Sequence, residues 1–476
     1  PHGDVETPNF MPVGTRATVK TMDVEDLRAV GAQIVLSNTY HLMLRPGEDV
    51  VSRLGELHGF MAWDGPILTD SGGYQVLSLN PKISEEGLVF RSTYDGVRVE
   101  LTPERAVAVQ EALGSDIAMA LDVPVPLPST HADAEDAMHR TFRWAERALA
   151  AKQRDDRALF GIVQGGAEPD LREQSAKDIG SLGFPGFGIG GLAVGETPEE
   201  RDLALDAAIP HLPPQAVRYV MGLGDTEGIL AAIARGVDLF DCVIPTRLAR
   251  HGKALTRTGD LSIKRAEWTL DERPLDDACS CLTCRRHSRG YLRHLYTTKE
   301  PLAHRLLTLH NLTYTLDLLR GSRDAIADGR FAEFRAGVVR ARMGVLTAFA
   351  ARVPALSRRR KPAHRTEDPV LNLSSISTIV IAQTESGGSA LGFLLPIVVL
   401  GGLFYLLLVM PQRRRAKKAQ ELRDSISVGD EVRTIGGIYG TIRSEDDETF
   451  TIDIGGGNTI RMAKRAISER IGDDSE

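Results

Sequence analysis

Three groups of side chains in this sequence have types and spacings suited to chemistry. The tightest is Cys279-x-Cys281-x2-Cys284, which holds all but one of the chain's 4 cysteines. Thiolates this close can wrap a tetrahedral ion from one turn, and a histidine would complete a closed, structural Cys3His zinc set. Spacing leaves that histidine open among His287, His294, His304 and His310. Arg285, Arg286 and His287 are cationic neighbours that favour ionised thiols. Buried free cysteines or a redox pair are the alternatives to a metal. The second group is Thr69-Asp70-Ser71-Gly72-Gly73-Tyr74-Gln75. An acid followed by small residues and an aromatic makes a loop that a ligand can approach closely, with Tyr74 as a stacking face. In the third group, Phe240-Asp241-Cys242-Val243-Ile244-Pro245-Thr246-Arg247 leads into Arg250, His251 and Lys253. A carboxylate leaving an apolar strand beside a cationic loop suits attack on a phosphate-bearing substrate.

Such groups need a frame to bring them together. Short apolar runs at 32–36, 66–68, 116–121, 159–163, 187–189, 217–220 and 239–243 read as buried strands. Helical patterns at 103–113, 132–152, 198–209 and 226–235 lie between several of them. This alternation predicts a parallel sheet covered by helices. About eight such units favour a closed (β/α)8 TIM barrel over an open doubly wound sheet. Asp70, Asp122, Gln164, Gly190, Gly191, Gly222 and Asp241 fall at or just past the C-terminal ends of these strands. Any one of them could be an ordinary turn residue. Together they mark the barrel face where catalytic groups gather.

Composition narrows the setting. The 476 residues carry 57 Lys and Arg against 64 Asp and Glu, a net charge of −7. A nucleic-acid partner must therefore be held by a local patch. Four cysteines exclude a disulfide scaffold and suit a reducing compartment. No charged-then-apolar leader is read at the start, which lacks an initiator methionine. Residues 386–412 contain no charge, and 390–411 is predicted to be a single transmembrane helix. A linker at 357–389 precedes it, and a basic juxtamembrane segment at 412–424 follows. Residues 425–476 alternate in strands at 430–435, 440–444, 449–454 and 459–462, a small β-rich domain with an acidic tail.

With these residues in view, the chain resembles the bacterial tRNA-guanine transglycosylases, base-exchange enzymes of queuosine biosynthesis. The carrying motifs are FMPVGTRATVK (10–20), SNTYHLMLRPG (37–47), TDSGGYQVLSL (69–79), GIVQGG (161–166), GIGGLAVGE (188–196), FDCVIPTR (240–247) and the cysteine cluster with LHN (309–311). The resemblance implies a barrel over residues 1–356, a zinc module inserted at about 274–312, and a homodimer. It places the nucleophile at Asp241 and the general acid/base at Asp70. Base recognition falls to Ser71, Gly72, Gly73, Tyr74, Asp122, Gln164, Gly191, Leu192 and Met221. RNA contacts fall to Gly222, Leu223, Gly224, Asp225, Thr226, Glu227 and Gly228, and to Thr246, Arg247, Leu248, Ala249 and Arg250. It selects His310 to join Cys279, Cys281 and Cys284 around one structural zinc ion per subunit. The implied reaction replaces guanine at the wobble position of tRNAs with GUN anticodons (aspartate, asparagine, histidine and tyrosine types) by preQ1, 7-aminomethyl-7-deazaguanine. Two departures stand out: only Pro1–Asn9 precede the FMPVGT motif, so the family's opening hairpin is expected to be truncated, and Val123-Pro124 replaces the usual Glu-Cys after Asp122. Leu192-Ala193-Val194-Gly195 keeps the bacterial form, which favours preQ1 over queuine.

A second resemblance covers about 391–471. The apolar span, PQRRRAKKAQ (411–420), VGDEVRTIGGIYGTI (428–442) and RAIS (465–468) are similar to YajC, an accessory subunit of the Sec translocase. Its implied partners are the inner membrane and Sec components. The basic cluster at 413–418 should hold its side of the membrane in the cytoplasm, which puts everything before a single span outside. Yet tRNA, preQ1 and reduced thiols belong in the cytoplasm. The expectation drawn from this conflict is that the sequence joins two neighbouring reading frames, one for a cytoplasmic enzyme and one for a membrane subunit. The competing readings are a membrane export component carrying the barrel as passenger, and a zinc-containing RNA binder without catalysis. Intact Asp70 and Asp241 argue against the last.

Overall fold

The computed structural model describes residues 1–125, 129–193, 195–352, 429–434, 439–446, 449–453, 459–463 and 467–471. The chain divides into two units, Pro1–Arg358 and Arg359–Glu476. In the first, eight strands close a parallel barrel: β1 (Asn9–Gly14), β2 (Val35–Ser37), β3 (Ile67–Thr69), β4 (Ile117–Met119), β5 (Ala158–Val163), β6 (Gly186–Ile189), β7 (Val217–Val220) and β8 (Leu239–Cys242). Each strand pairs with its sequence neighbours, and β8 closes on β1 from Asn9 opposite Leu239 to Pro12 opposite Cys242.

Strand periodicity sorts the side chains. Met11, Val13, Leu36, Leu68, Met119, Phe160, Ile162, Tyr219 and Leu239 fill the barrel interior. Their neighbours Phe10, Val35, Ile67, Val220 and Phe240 point outward into the layer shared with the helices. Successive strand residues face opposite sides, so a polar residue two positions past an inward apolar one opens onto the barrel mouth.

Most connections are helices with readable ends. Thr102 caps Pro103–Leu113 by accepting from the Arg105 amide, and Gly114 ends it at φ 74°. Thr197 and Glu200 form a reciprocal box at the start of Pro198–Ala208; each such cap is worth ~1 kcal/mol. Three features depart from the sequence pattern. The first barrel strand, β1, was not among the runs read as strands. Lys82–Ile83, Leu88–Arg91 and Arg98–Leu101 form an antiparallel sheet outside the barrel. Lys253–Thr256 and Gly259–Ser262 form a hairpin after β8. Asn311, in the long helix Pro301–Ala327, stitches that hairpin down: it accepts from the Leu255 amide (2.8 Å) and donates to the Pro245 and Lys253 carbonyls (2.9 and 3.0 Å).

The second unit contains an antiparallel sheet of Glu431–Thr434, Tyr439–Glu445, Thr449–Asp453, Thr459–Ala463 and Ile467–Ile471, around Val432, Ile442, Phe450 and Ile452. The sequence pattern gave four strands. The fifth, Ile467–Ile471, folds back onto the first, and its Ser-Glu-Arg centre hides it from an apolar scan. Among the described residues no helix is long and apolar enough to cross a membrane. The expected linker (357–389), span (390–411) and basic segment (412–424) lie outside the described residues.

Candidate functional site

Leu239 packs inside the barrel, so Asp241, two residues on, faces the mouth. Its Oδ1 accepts the Tyr219 hydroxyl at 2.6 Å and the Gly222 amide at 2.8 Å. Among the described residues no hydrogen bond reaches Oδ2, which leaves that oxygen open toward the mouth. The dense surroundings raise the pKa of Asp241, and the two donors partly restore its ionisation. Burial and the neighbouring carboxylate hold the Tyr219 hydroxyl protonated, with its pKa well above the usual phenol value. It is therefore a steady donor to Asp241.

On β3, Leu68 points inward and Asp70 follows in the same phase. Its Oδ1 accepts the Thr39 amide (2.9 Å); its Oδ2 accepts Gln75 Nε2 (2.7 Å) and Asn38 Nδ2. The Thr39 hydroxyl donates to its main-chain carbonyl at 2.5 Å. Burial pushes Asp70 up to about 6; the donors oppose that shift, and the charge of Asp241 adds to it. At about 6, Asp70 has both its protonated and its ionised form within reach around neutral pH.

Next to this pair lies a third acid. Asp122 accepts Gln164 Nε2 at 2.6 Å and the Ser71 hydroxyl at 3.4 Å, while Ser71 Oγ also takes the Gly73 amide at 3.2 Å. Burial raises Asp122 to about 6 against these donors, with a further push from Asp70. These groups can pack closely because the inward positions of β6 carry no side chain. A Cβ on Gly188 would sit 2.7 Å from the Met119 methyl, and one on Gly190 would sit 2.7 Å from Gln164 Nε2. Gly191, at φ 65°, would meet Gln164 Oε1 at 2.5 Å. Asp122, Gln164 and the Gly190–Gly191 backbone therefore form one polar cluster, the candidate recess for a ligand.

The remaining expected residues divide by exposure. Tyr74 is 60% exposed at the rim, with Gly72 at φ 85° turning the chain ahead of it. Leu192 is buried, and Met221 is half-buried with its sulfur against Gly188. Val123, which departs from the resemblance, is buried and donates its amide to the Thr141 hydroxyl at 3.0 Å. Of the expected RNA-contacting residues, Gly222, Asp225, Glu227 and Arg247 are exposed, and Leu248 and Arg250 are partly so. Leu223, Gly224, Thr226, Gly228, Thr246 and Ala249 are buried; Thr226 bonds Tyr314 (2.9 Å), and Thr246 donates to the Val243 carbonyl (3.1 Å). Burial and the charge of Arg247 lower the pKa of Arg250, which marks a local surplus of positive charge beside β8.

Away from this recess, Cys279, Cys281, Cys284 and His310 bring their ligand atoms within 4.8 Å of one another. His310 Nδ1 lies 3.3 Å from Cys284 Sγ and 3.7 Å from Cys281 Sγ. Its Nε2 is 2.8 Å from the Leu255 carbonyl, which can only accept. The proton therefore sits on Nε2, and Nδ1 presents a lone pair to the thiols. This donor set fits a soft, tetrahedral metal ion and leaves no open position. The other histidines turn elsewhere: His287 stacks on Tyr291, and His304 packs beside Tyr296.

Sequence reasoning did not single out Asn38, Thr39, Gln75 or Tyr219 as supports of the two acids. It also missed Arg172, a fully buried arginine behind the recess. At the other end of the barrel, Asp116 just before β4 gathers His2 (2.7 Å), His58 (3.0 Å) and Arg157 (2.7 Å). Arg157 occupies the anion of that group, which reads as a strut.

Comparison with known proteins places this geometry. The family model described as queuine tRNA-ribosyltransferase matches residues 1–343, and the model described as preprotein translocase subunit (YajC) matches 394–471. Among curated relatives, the queuine tRNA-ribosyltransferase of Desulforudis audaxviator is 56% identical over 334 residues, covering 70% of this chain and 90% of the relative. That of Desulforamulus reducens is 52% identical over 337 residues, covering 70% of this chain and 91% of the relative. That of Listeria innocua is 52% identical over 338 residues, covering 70% and 89%.

Proposed function

The chain belongs to the queuine tRNA-ribosyltransferase family, and we propose that its barrel exchanges guanine at the wobble position of tRNA for a free deazaguanine base, preQ1. The observation that carries this reading is the pair of acids at one mouth, half-buried Asp241 with one oxygen held and buried Asp70 pushed up to about 6. Breaking an N-glycosidic bond builds positive charge on the sugar, so an anion on one side and a proton donor on the other share the work. Asp241 Oδ2 attacks C1′ of the wobble nucleotide, the C1′–N9 bond breaks, and its electrons leave with guanine. Asp70 gives its proton to the departing base. The incoming base then returns a proton to Asp70, its nitrogen attacks C1′, and Asp241 leaves. One glycosidic bond replaces another, so the exchange needs no energy source.

The recess supplies recognition. Asp122 accepts from N1–H and the exocyclic amine of a guanine-like edge, and Gln164 and the Gly191 amide donate to O6. Ser71, Gly72, Gly73, Leu192 and Met221 shape the walls, and Tyr74 offers a stacking face at the rim. The nucleotide leaves its stack to enter, as bases do in other base-modifying enzymes. Arg247 and Arg250 hold anticodon phosphates, helped by the Gly222–Gly228 segment. The Leu192–Gly195 sequence supports preQ1 as the incoming base, and the GUN-anticodon tRNAs as substrates follow from the resemblance, as does a homodimer. The Cys3His set holds zinc as a structural ion, tying the segment after β8 to the long helix. We place the barrel part at 1–356, in the cytoplasm, and a membrane-attached YajC-like part at 390–476, with Sec components as its partners.

Labelled guanine offered with unmodified tRNA tests the reading. Wild-type protein should incorporate label, and Asp122→Ala should cut kcat/KM at least tenfold, since lost polar contacts cost about 1–3 kcal/mol each. Near-normal incorporation by Asp122→Ala would refute the pocket assignment.

A further inference from the structure

Arg172 lies on the helix Pro169–Gly180 and is 0% exposed, yet among the described residues no carboxylate pairs with it. Its Nε donates to the Gly166 carbonyl (2.7 Å), and its Nη1 to the carbonyls of Gly190 (2.7 Å) and Val163 (3.2 Å). Nη2 has no partner among the described residues and lies 3.3 Å from the point where a Cβ of Gly191 would stand. One turn along the same helix, buried Ser175 accepts the Gln164 amide at 3.0 Å. Gly166, at φ 59°, lets its carbonyl turn back toward the guanidinium.

A buried cation is costly unless its hydrogen bonds are used. Here all three bonds go to backbone oxygens, on the two turns that follow β5 and β6. Those turns carry Gln164 and Gly191, the two donors of the recess. Burial lowers Arg172 to about 10, so it stays cationic at neutral pH, and Glu196 is the carboxylate whose charge reaches it. Glu196 in turn accepts the Ala193 (2.5 Å) and Gly195 (3.2 Å) amides, which fixes the far end of the turn after β6.

We propose that Arg172 and Ser175 are positioning residues that clamp the turns after β5 and β6, setting the spacing between Gln164 and the Gly191 amide that a guanine-like base requires. The fork of a guanidinium reaches three carbonyls at once, whereas an ammonium is a single point of charge. Loss of the clamp widens the donor pair without touching Asp70, Asp241 or the RNA surface. Binding of the free base should suffer, and binding of tRNA should not.

This inference rests on the reading of Asp122, Gln164 and Gly191 as the base pocket. The test is steady-state exchange of labelled guanine with full-length protein, measuring KM for guanine at saturating tRNA and KM for tRNA at saturating guanine. Arg172→Lys and Ser175→Ala should each raise the guanine KM about five- to tenfold, the worth of one or two hydrogen bonds. The tRNA KM, bound metal and near-ultraviolet circular dichroism should stay at wild-type values. An unchanged guanine KM, or a matching rise in both KM values, overturns the clamp. If Arg172→Lys does not fold, Ser175→Ala decides, since it removes one oxygen from a packed helix. Asp122→Asn run alongside separates the two claims. A normal guanine KM there removes the pocket and the clamp with it, whereas a raised one beside normal Arg172→Lys and Ser175→Ala removes the clamp alone.

Discussion

Asp70, Asp122 and Asp241 share one end of the barrel, and burial rather than a neighbouring cation governs their titration. Their raised pKa values have a thermodynamic consequence. A carboxylate whose folded pKa lies above its unfolded value contributes fully to stability below the unfolded pKa. That contribution is lost as pH rises through the folded pKa. For Asp70 and Asp122 the window runs from the ordinary carboxylate range up to about 6. Above it, each ionised acid costs the fold about 3 kcal/mol. Asp122→Asn should therefore raise the thermal midpoint of the barrel at a pH of about 8 and have little effect below about pH 4, while the KM for guanine rises. A midpoint shift of equal size at both values would show that Asp122 is not held against its charge.

At the scale of elements, position at the ends of strand patterns made the acids legible, and strand phase in the structure explains why they face one mouth. Asp70, Gln164 and Asp241 each lie two positions beyond an inward apolar residue, namely Leu68, Ile162 and Leu239. Their supports were hidden because each depends on contact between distant segments. Thr39 reaches Asp70 from the turn after β2, and Tyr219 passes in a strand pattern as one more apolar residue. Arg172 reads in sequence as a solvated charge on a helix. Pro12, which has no amide to donate, concealed β1, although it pairs in register with Cys242. The cysteine cluster was legible from spacing alone, but spacing left its histidine open; in the structure the Nδ1 of His310 lies beside the thiols. The Cys3His group joins the helix Leu282–Arg286 to Pro301–Ala327, which in turn anchors the hairpin after β8. Elemental analysis should find about one zinc per chain, and Cys281→Ser should lose the metal together with protease resistance between 253 and 312. A metal-free but equally resistant variant would mean the ion is dispensable to this element.

For the whole molecule, the two family matches do not overlap: residues 1–343 match queuine tRNA-ribosyltransferase, and 394–471 match a preprotein translocase subunit. The uncharged stretch between 386 and 412 is followed by Arg413-Arg414-Arg415 and Lys417-Lys418. As a single span, it would leave the barrel on the side away from tRNA. We infer from that conflict that the host makes two polypeptides, a soluble transglycosylase and a separate membrane subunit. An antibody to the barrel should then detect a soluble band well below the full-length mass. One membrane-bound band of full length with exchange activity facing the cytoplasm would overturn the inference.

The exchange reading depends on Asp241 being the group that attacks the sugar. The direct measurement is denaturing electrophoresis of protein mixed with labelled tRNA, followed by peptide mapping of the adduct. The wild-type protein should give a tRNA–protein band that survives denaturant and maps to the β8 peptide. Asp241→Asn should give none, though its recess and its metal set remain intact. An adduct that persists in Asp241→Asn, or that maps to another peptide, would contradict the double displacement proposed for this barrel.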